Sequence, residues 1–261
     1  MRVLICFVIL SLCLPLLGGT FIPLSCFEDA SINDLDVTVK WGTLLNLGNC
    51  VYEEALWYDG GVNNSGILMP QLQVSKGLTE NLQMGLQAFV LRYHDNNSFY
   101  ASLNLKRRLH ENDAMILAIN PLAGYSRNRY ILPFRQKFVP NWSQRYEVEQ
   151  DSQAFFAQLP LLLQLKKPAI NCCLKLGYAR FAAEARYKIV EHNLESFWEN
   201  IDYGSHDIIN GGINFSYPIR ISGFVIRPEL GYELFSLVKH NDKFGGSLTG
   251  GLAFSFDPPR P

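Results

Sequence analysis

The chain has little net charge and, after its first residues, no long apolar run. Among 261 residues, 23 Lys and Arg stand against 24 Asp and Glu, which gives a formal net charge of −1. This balance argues against a nucleic-acid partner, which would favour a basic face. No stretch beyond the N-terminus approaches about 18 uninterrupted apolar residues, so no membrane-spanning helix is expected there.

The cysteine content is too low for a disulfide-rich scaffold. The chain has six cysteines, at Cys6, Cys13, Cys26, Cys50, Cys172 and Cys173. The last four are too few and too unevenly spaced to predict a disulfide framework, and Cys172 and Cys173, as neighbours on a predicted strand, face opposite sides. Nucleotide loops, zinc-ligand spacings and nucleophile elbows are missing as well. We therefore predict no cofactor, no metal site and no catalytic residue.

The N-terminus carries the one strongly apolar segment. Residues 1–2 form a short basic start, residues 3–17 an apolar run, and residues 18–20 are small. This order is typical of a secretory signal peptide, which we predict over residues 1–25. A permanent N-terminal anchor is the alternative, because no clean Ala-x-Ala cleavage site is present.

A candidate lipidation site follows the apolar segment. Leu24-Ser25-Cys26 resembles a bacterial lipobox, although Pro23 stands where such motifs usually have leucine. Cys26 is predicted either to carry a lipid or to be an ordinary cysteine. It begins what we interpret as an N-terminal periplasmic segment, residues 26–49.

Residues 50–256 alternate between apolar and polar side chains with a period of two. In one predicted hairpin, Leu72 and Val74 share a face opposite Gln71 and Gln73. A strand between lipid and a barrel interior needs one apolar and one polar face. The polar faces predict a lumen lined by Gln71, Gln73, Gln83, Gln87, Asn104, Lys106, Gln158, Gln164, Lys175, Arg227, Glu229 and Glu233.

These segments predict an all-β, antiparallel, up-and-down transmembrane β-barrel of about ten strands, with about 8 or 12 as alternatives. The first strand is placed near residues 50–58, and residues 257–261 form a C-terminal tail. After Tyr178 the apolar positions shift by one residue. This shift predicts a β-bulge near Ala179-Arg180, or a strand that leaves the membrane there.

The connections between predicted strands alternate in length. Short ones lie at 76–81 and 166–171, whereas 126–151 and 188–206 are long, as expected for tight periplasmic turns and large outer loops. Both termini then fall on the periplasmic side. The alternative is a soluble β-sandwich or lipocalin-like barrel, whose outward faces would be richly charged. Here the polar faces carry few charges, which favours the membrane barrel.

Two motifs resemble those of a known family. The hairpin over residues 71–86, with its Gly77-Leu78-Thr79-Glu80 turn, resembles small Gram-negative outer-membrane barrels, including transporter-type members. The ending Thr249-x-Gly251-x-x-Phe254-x-Phe256 is similar to the signal that the outer-membrane barrel assembly machinery recognises. The resemblance implies the bacterial outer membrane, with membrane lipid and the assembly machinery as partners, and it says little about activity.

Three functions remain open at this stage. The first is a small-solute transporter or porin-like barrel, with Arg227, Glu229 and Glu233 either as part of a salt-bridged plug or as a selectivity cluster. The second is a structural or adhesive barrel whose outer loops bind glycans or lipopolysaccharide, with Arg127, Arg129, Arg135, Lys137, Trp142 and Arg145 in the first loop. The third is a rim hydrolase, for which His94, Asp95, His206 and Asp207 are the candidate residues. Neighbours on a strand point to opposite faces, so neither adjacent His–Asp pair is itself a catalytic dyad.

Overall fold

The computed structural model describes residues 20–47, 66–93, 96–139, 142–190, 198–221, 223–238 and 244–256. Most of these residues form strands, in keeping with their β-branched, aromatic and alternating composition. The strands are β1 (Phe21–Pro23), β2 (Leu35–Asn46), β3 (Gly66–Thr79), β4 (Leu82–Tyr93), β5 (Asn96–Glu111), β6 (Met115–Ile119), β7 (Leu122–Val139), β8 (Trp142–Leu165), β9 (Ile170–Val190), β10 (Trp198–Ser216), β11 (Ile219–Ile221), β12 (Phe224–Leu237) and β13 (Phe244–Phe256). Within the described ranges, none of the helical structure is long and apolar enough to cross a membrane.

Antiparallel pairing closes the strands into a barrel. β13 pairs with β2, which joins the last wall strand to the first. β6 and β7 make one wall strand that is interrupted at Asn120 and Pro121, since both pair with β5 and with β8. β1 lies beside β2, and β11 extends the turn that leads into β12. In the described part of the chain the wall is thus a closed ten-stranded antiparallel barrel, which confirms the predicted fold class and strand number.

The first wall strand differs from the prediction. It is β2 (Leu35–Asn46), which lies inside the segment 26–49 that we assigned to the periplasm, so that boundary was wrong. The polarity of β2 alternates only over its first part, where Val37 and Val39 face out and Thr38 and Lys40 face in, and this weakened the signal. The strand that we placed near residues 50–58 lies outside the described residues.

The barrel half next to the short connections, which include those predicted at 76–81 and 166–171, has a polar interior and an apolar exterior. We call it the polar half, around Lys40, Gln83, Lys106, Lys175 and Arg227, all of which are buried. Outside, Leu103, Leu176 and Leu248 are 61%, 68% and 74% exposed and belong to a continuous belt of apolar side chains. An exposed apolar surface of this extent is typical of contact with lipid.

The other half reverses this arrangement. We call it the apolar half, because its interior holds Phe89, Tyr100, Phe156, Phe181 and Phe235 in one buried cluster. Its exterior is charged and includes the exposed side chains Arg127, Arg180, Glu184 and Arg186. β8 has 24 residues, whereas about 9–11 residues suffice to cross a bilayer. The strands are therefore long enough for the apolar half to project beyond the apolar belt.

The predicted bulge near Ala179-Arg180 is absent from this described stretch. β9 stays in register with β8 throughout their pairing, and Lys175, Ala179 and Phe181 all face inward. The apparent shift in the sequence arises because interior and exterior exchange polarity there. The one register shift between β9 and β10 lies instead on β10, between Asp202 and Ser205.

The two predicted long loops are also corrected. Residues 126–139 continue β7, residues 142–151 begin β8, and β9 and β10 extend to Val190 and from Trp198. These parts of the strands lie in the apolar half, where exterior residues are polar, and polar strands of this kind resemble loops in composition.

Candidate functional site in the barrel lumen

The lumen is occupied by the chain's own N-terminal part. Residues 20–34, which we call the inner segment, run along the inside of the wall from the apolar half to the polar half. Residues 20–25 were predicted to belong to the signal peptide, but they pack in the lumen, so the predicted end of that peptide at residue 25 does not fit this structure. At the top, the Thr20 hydroxyl bonds Ser152 at 2.5 Å, and the Phe21 amide donates to Ser126 at 3.0 Å. At the bottom, the Gly77 amide donates to the Asp34 carbonyl at 3.0 Å, just before β2 begins.

The lower part of the inner segment is held by ion pairs. The Glu28 carboxylate lies 3.0 Å from the ammonium groups of both Lys40 and Lys106. The Asp29 carboxylate lies 2.8 Å from the guanidinium of Arg227. All five side chains are largely withdrawn from solvent. Each segment carboxylate thus meets a cation of the wall, which is the condition for burying charge without a large penalty.

These pairs set the ionisation of the two segment carboxylates, which belong to no spanning strand. Burial alone would raise the pKa of Glu28, but Lys106 and Lys40 outweigh it and hold that pKa well below its usual range. Burial likewise opposes ionisation of Asp29, yet Arg227 and Lys106 lower its pKa. Both groups are therefore carboxylates at neutral pH.

The middle of the inner segment is bound through its backbone. The Glu229 carboxylate accepts from the amides of Cys26, at 2.8 Å, and Phe27. The ammonium group of Lys175, 3.1 Å from Glu233, donates to the Leu24 carbonyl. The wall therefore supplies partners to peptide groups that a buried segment would otherwise leave unsatisfied.

The upper part of the inner segment is apolar and packs into the apolar half. Phe21, Ile22 and Leu24 are fully buried in the cluster that holds the wall aromatic rings. The Phe21 ring lies 6.1 Å from that of Phe89, and Tyr100 stacks on Phe156 with centroids 5.5 Å apart. These contacts fill the upper lumen with side chains.

The seam between β13 and β2 is short and needs two glycines. Only five residue pairs, Gly251–Gly42 to Ser255–Thr38, join these strands in the described region. A Cβ at Gly42 would lie 2.5 Å from the Phe27 ring, and one at Gly251 would lie 1.8 Å from the Trp41 carbonyl. Gly251 also has φ of +151°, which side chains disfavour. Gly251, which we predicted as part of an assembly signal, thus has a packing role in the seam.

The structure places the predicted lumen residues as follows. Eleven of the twelve side chains are buried, and Gln164 is half-buried. In the predicted assembly signal, Thr249 is buried, Gly251 and Phe254 are intermediate, and Phe256 is 53% exposed. Cys26 is 7% exposed inside the lumen, with its amide bonded to Glu229. Lipidation of Cys26 does not fit this position, because acyl chains there would have no access to lipid.

The rim residues considered for hydrolysis do not form a dyad among the described side chains. The Asp207 carboxylate accepts a hydrogen bond from Tyr178 at 2.6 Å on the outer face, whereas the neighbouring His206 lies on the alternate face of the strand. His94 and Asp95 lie outside the described residues. The described ranges also hold no group of three or more metal-ligating side chains.

Sequence reasoning missed the inner segment, which is central to this site. Its signal in the sequence is an excess of cations at predicted lumen positions, where Lys106, Lys175 and Arg227 face only two glutamates. The adjacent acidic residues Glu28 and Asp29 supply the complement. The side chains of the predicted loop residues Arg135, Lys137, Trp142 and Arg145 lie outside the described part.

Comparison with known proteins gives similarity at the level of the chain path only. No family model and no curated protein matches the chain. Among solved structures, the outer membrane protease OmpT from Escherichia coli is similar with TM-score 0.41 and 8% identity, over 91% of this chain and 92% of that one. The translocator domain of the autotransporter NalP from Neisseria meningitidis has TM-score 0.38 and 12% identity, over 86% and 88%.

The CymD monoaromatic hydrocarbon channel gives TM-score 0.31 and 8% identity, over 92% of this chain and 94% of that one. Likenesses this weak do not bear on activity. What the lumen of this chain can do must therefore follow from its own residues.

Proposed function

We propose that this chain is a bacterial outer-membrane β-barrel protein whose lumen is a gated path for small amphipathic anions, closed here by the inner segment. The observation that carries the proposal is the match between that segment and the wall. Its acidic part lies on wall cations, and its apolar part lies in the apolar half. A solute with an apolar body and a carboxylate could make the same contacts.

The membrane location is supported by the exterior of the polar half. Lipid cannot hydrogen-bond the backbone N–H and C=O groups of an open strand edge, and a closed barrel has no such edge. The apolar belt lies beside the short turns, and the charged exterior of the apolar half begins just above Tyr178 and Phe155. Aromatic side chains at such a boundary are typical of a membrane interface.

Charge selectivity follows from the wall. Among the described and buried wall side chains, four are cationic, Lys40, Lys106, Lys175 and Arg227, and two are carboxylates, Glu229 and Glu233. Glu28 and Asp29 of the inner segment balance this excess. If the segment moved out, the polar half would be left with unpaired cations, which favours an anionic occupant.

Gating is required because the lumen is filled. A cavity between the inner segment and the wall, lined by Ser25, Lys40, Gln87, Gln158 and other described residues, measures about 20 Å³. That volume holds about one water molecule. Passage of a solute therefore depends on displacement of the inner segment.

The experiment is single-channel recording in planar bilayers, with a thiol reductant that keeps Cys26 and Cys173 as the free thiols seen here. We expect the unmodified chain to be closed most of the time. The Glu28→Gln/Asp29→Asn variant should open at least about tenfold more often, because it loses the ion pairs that seat the segment. Its reversal potential in a salt gradient should show preference for anions.

The matched control is Asp151→Asn, which removes an exposed carboxylate outside the lumen and should leave opening unchanged. A double variant that assembles in the membrane yet stays closed, or that prefers cations, would contradict the proposed transport.

A second candidate is binding of lipopolysaccharide or glycans by the exterior of the apolar half. The observation in its favour is the pair of exposed arginines Arg127 and Arg129, 56% and 58% exposed, just above the aromatic boundary. Their pairing with Asp151 and Glu149 reduces the net charge of the patch. Binding to immobilised lipopolysaccharide should fall severalfold in Arg127→Ala/Arg129→Ala if this function holds, and unchanged binding would remove it.

A further inference from the structure

Two cysteines that are far apart in the sequence meet inside the barrel. Cys26 belongs to the inner segment, and Cys173 lies on the inward face of β9. They are 7% and 3% exposed and share a buried cluster with Ala30, Ala118 and Leu162 among others. The two side chains therefore pack in the same small cluster on the inner face of the wall, and both are free thiols in this structure.

We propose that Cys26 and Cys173 form a disulfide in the mature protein, which fixes the inner segment to the barrel wall. The inference rests on the proposed location, because an exported chain passes through the oxidising periplasm, where such pairs persist. It does not depend on transport.

The reaction balances with a periplasmic disulfide as oxidant. One cysteine thiolate attacks a sulfur of the oxidant's disulfide, and one thiol of the oxidant leaves. The second cysteine then attacks the resulting mixed disulfide. The chain gains one S–S bond and loses two thiol protons and two electrons, and the oxidant ends as two thiols.

A disulfide at Cys26 would hold the inner segment in the lumen. Cys26 lies between the apolar residue Leu24 and the acidic pair Glu28-Asp29, so a bond there anchors the segment at its middle. The hydrogen bonds from the Cys26 and Phe27 amides to Glu229 already hold this stretch against the wall. In the oxidised protein, even the variant that lacks the Glu28 and Asp29 charges should stay closed, and its openings should require reduction.

Cys172 is a matched control that the chain itself provides. It precedes Cys173 on β9 and, as the next residue on a strand, points to the opposite face. It is only half-buried, whereas Cys173 is buried. Any general oxidation of the protein should therefore reach Cys172 as readily as Cys173, but only Cys173 can reach the inner segment.

The test is peptide mapping by mass spectrometry of protein from membranes, denatured without reductant and alkylated at once. We expect a linked peptide pair that contains Cys26 and Cys173, with Cys172 alkylated before reduction. In Cys173→Ser, Cys26 should become fully alkylated, whereas in Cys172→Ser the linked pair should remain. The wild-type map alone decides the question if a variant fails to assemble.

The proposal is overturned if wild-type Cys26 is found as a free thiol, bonded to Cys50 or Cys172, or acylated. Fractionation of the same cells reports the location separately. A free Cys26 in protein from the outer membrane contradicts the disulfide alone, whereas recovery of the protein elsewhere contradicts the proposed location.

Discussion

The two halves of the barrel place their apolar side chains on opposite faces of the wall. On β9, Lys175 faces in and Leu176 faces out, whereas five residues later Arg180 faces out and Phe181 faces in. The backbone is continuous and its register with β8 does not change. What differs between the two halves is the environment that we infer for the outer face of the wall. In the polar half apolar side chains face out toward the proposed lipid, and in the apolar half they face in, as in a soluble barrel.

The largest expected effect comes from a charge inside the apolar half. Phe181→Asp removes a fully buried ring and leaves an unpaired carboxylate in the cluster that holds Phe21 and Phe156. We expect a loss of about 4 kcal/mol or more in the free energy of unfolding. The measurement is urea unfolding in detergent, followed by heat-modifiable migration on gels.

Glu184→Gln, on the exposed outer face of the same strand, is the control and should change stability by less than about 0.5 kcal/mol. If Phe181→Asp is tolerated as well as Glu184→Gln, the interior of this half is not an apolar core.

The reciprocal change tests the exterior of the polar half. Leu176, 68% exposed, should tolerate no charge if it faces lipid, and Leu176→Arg should cost about 2–4 kcal/mol near the bilayer centre. Arg180→Leu, four residues further on, should have little effect. Equal tolerance of both changes in unfolding measured from vesicles would place Leu176 in water.

A smaller effect is expected at the closing seam. Gly251→Ala places a Cβ against the Trp41 carbonyl at φ of +151°, and we expect a loss of about 1–3 kcal/mol. Gly211→Ala, whose Cβ would meet the side chain of Leu176 at 3.1 Å, is the milder control.

The same variant separates packing from recognition by the assembly machinery. Reduced stability of the assembled Gly251→Ala barrel supports the packing role. Normal stability with less assembled protein in the outer membrane would instead support the predicted assembly signal.

The smallest effect is expected for the exposed ion pair of Arg127 and Asp151, whose nearest atoms are 2.7 Å apart outside the apolar half. Because both side chains are about half exposed, we expect Arg127→Ala to change the free energy of unfolding by less than about 0.5 kcal/mol. If Arg127→Ala lowered the free energy of unfolding by more than about 2 kcal/mol in the same urea titration, the ion pair would have to be buried, for example at an interface.

Much of the wall was predictable from the sequence, because a period of two is a local signal. Gln71 and Gln83 on one face, and Leu72 and Leu86 on the other, define their strands without any knowledge of neighbours. The same rule misled us after Tyr178, since it assumes one environment along the strand. A change of environment and a bulge give the same one-residue shift in polarity.

The inner segment could not be predicted in this way. Residues 20–34 include only three strand residues, Phe21–Pro23, and their contacts reach Ser152, Lys175 and Arg227, far along the chain. Such contacts depend on closure of the whole barrel rather than on local pattern. The meeting of Cys26 with Cys173 is hidden for the same reason, so the sequence suggested only a lipidation site or an ordinary cysteine at Cys26.

The exchange of interior and exterior along β9 is tested most directly by nitroxide spin labels at outward positions of the chain in vesicles. In a chain whose native cysteines are replaced by serine, labels on Leu176→Cys and Glu184→Cys are compared for collision with oxygen and with a water-soluble nickel chelate. We expect oxygen to dominate at position 176 and the nickel chelate at position 184. Nickel access at both positions would contradict a membrane barrel, and oxygen dominance at both would contradict an apolar half that stands in water.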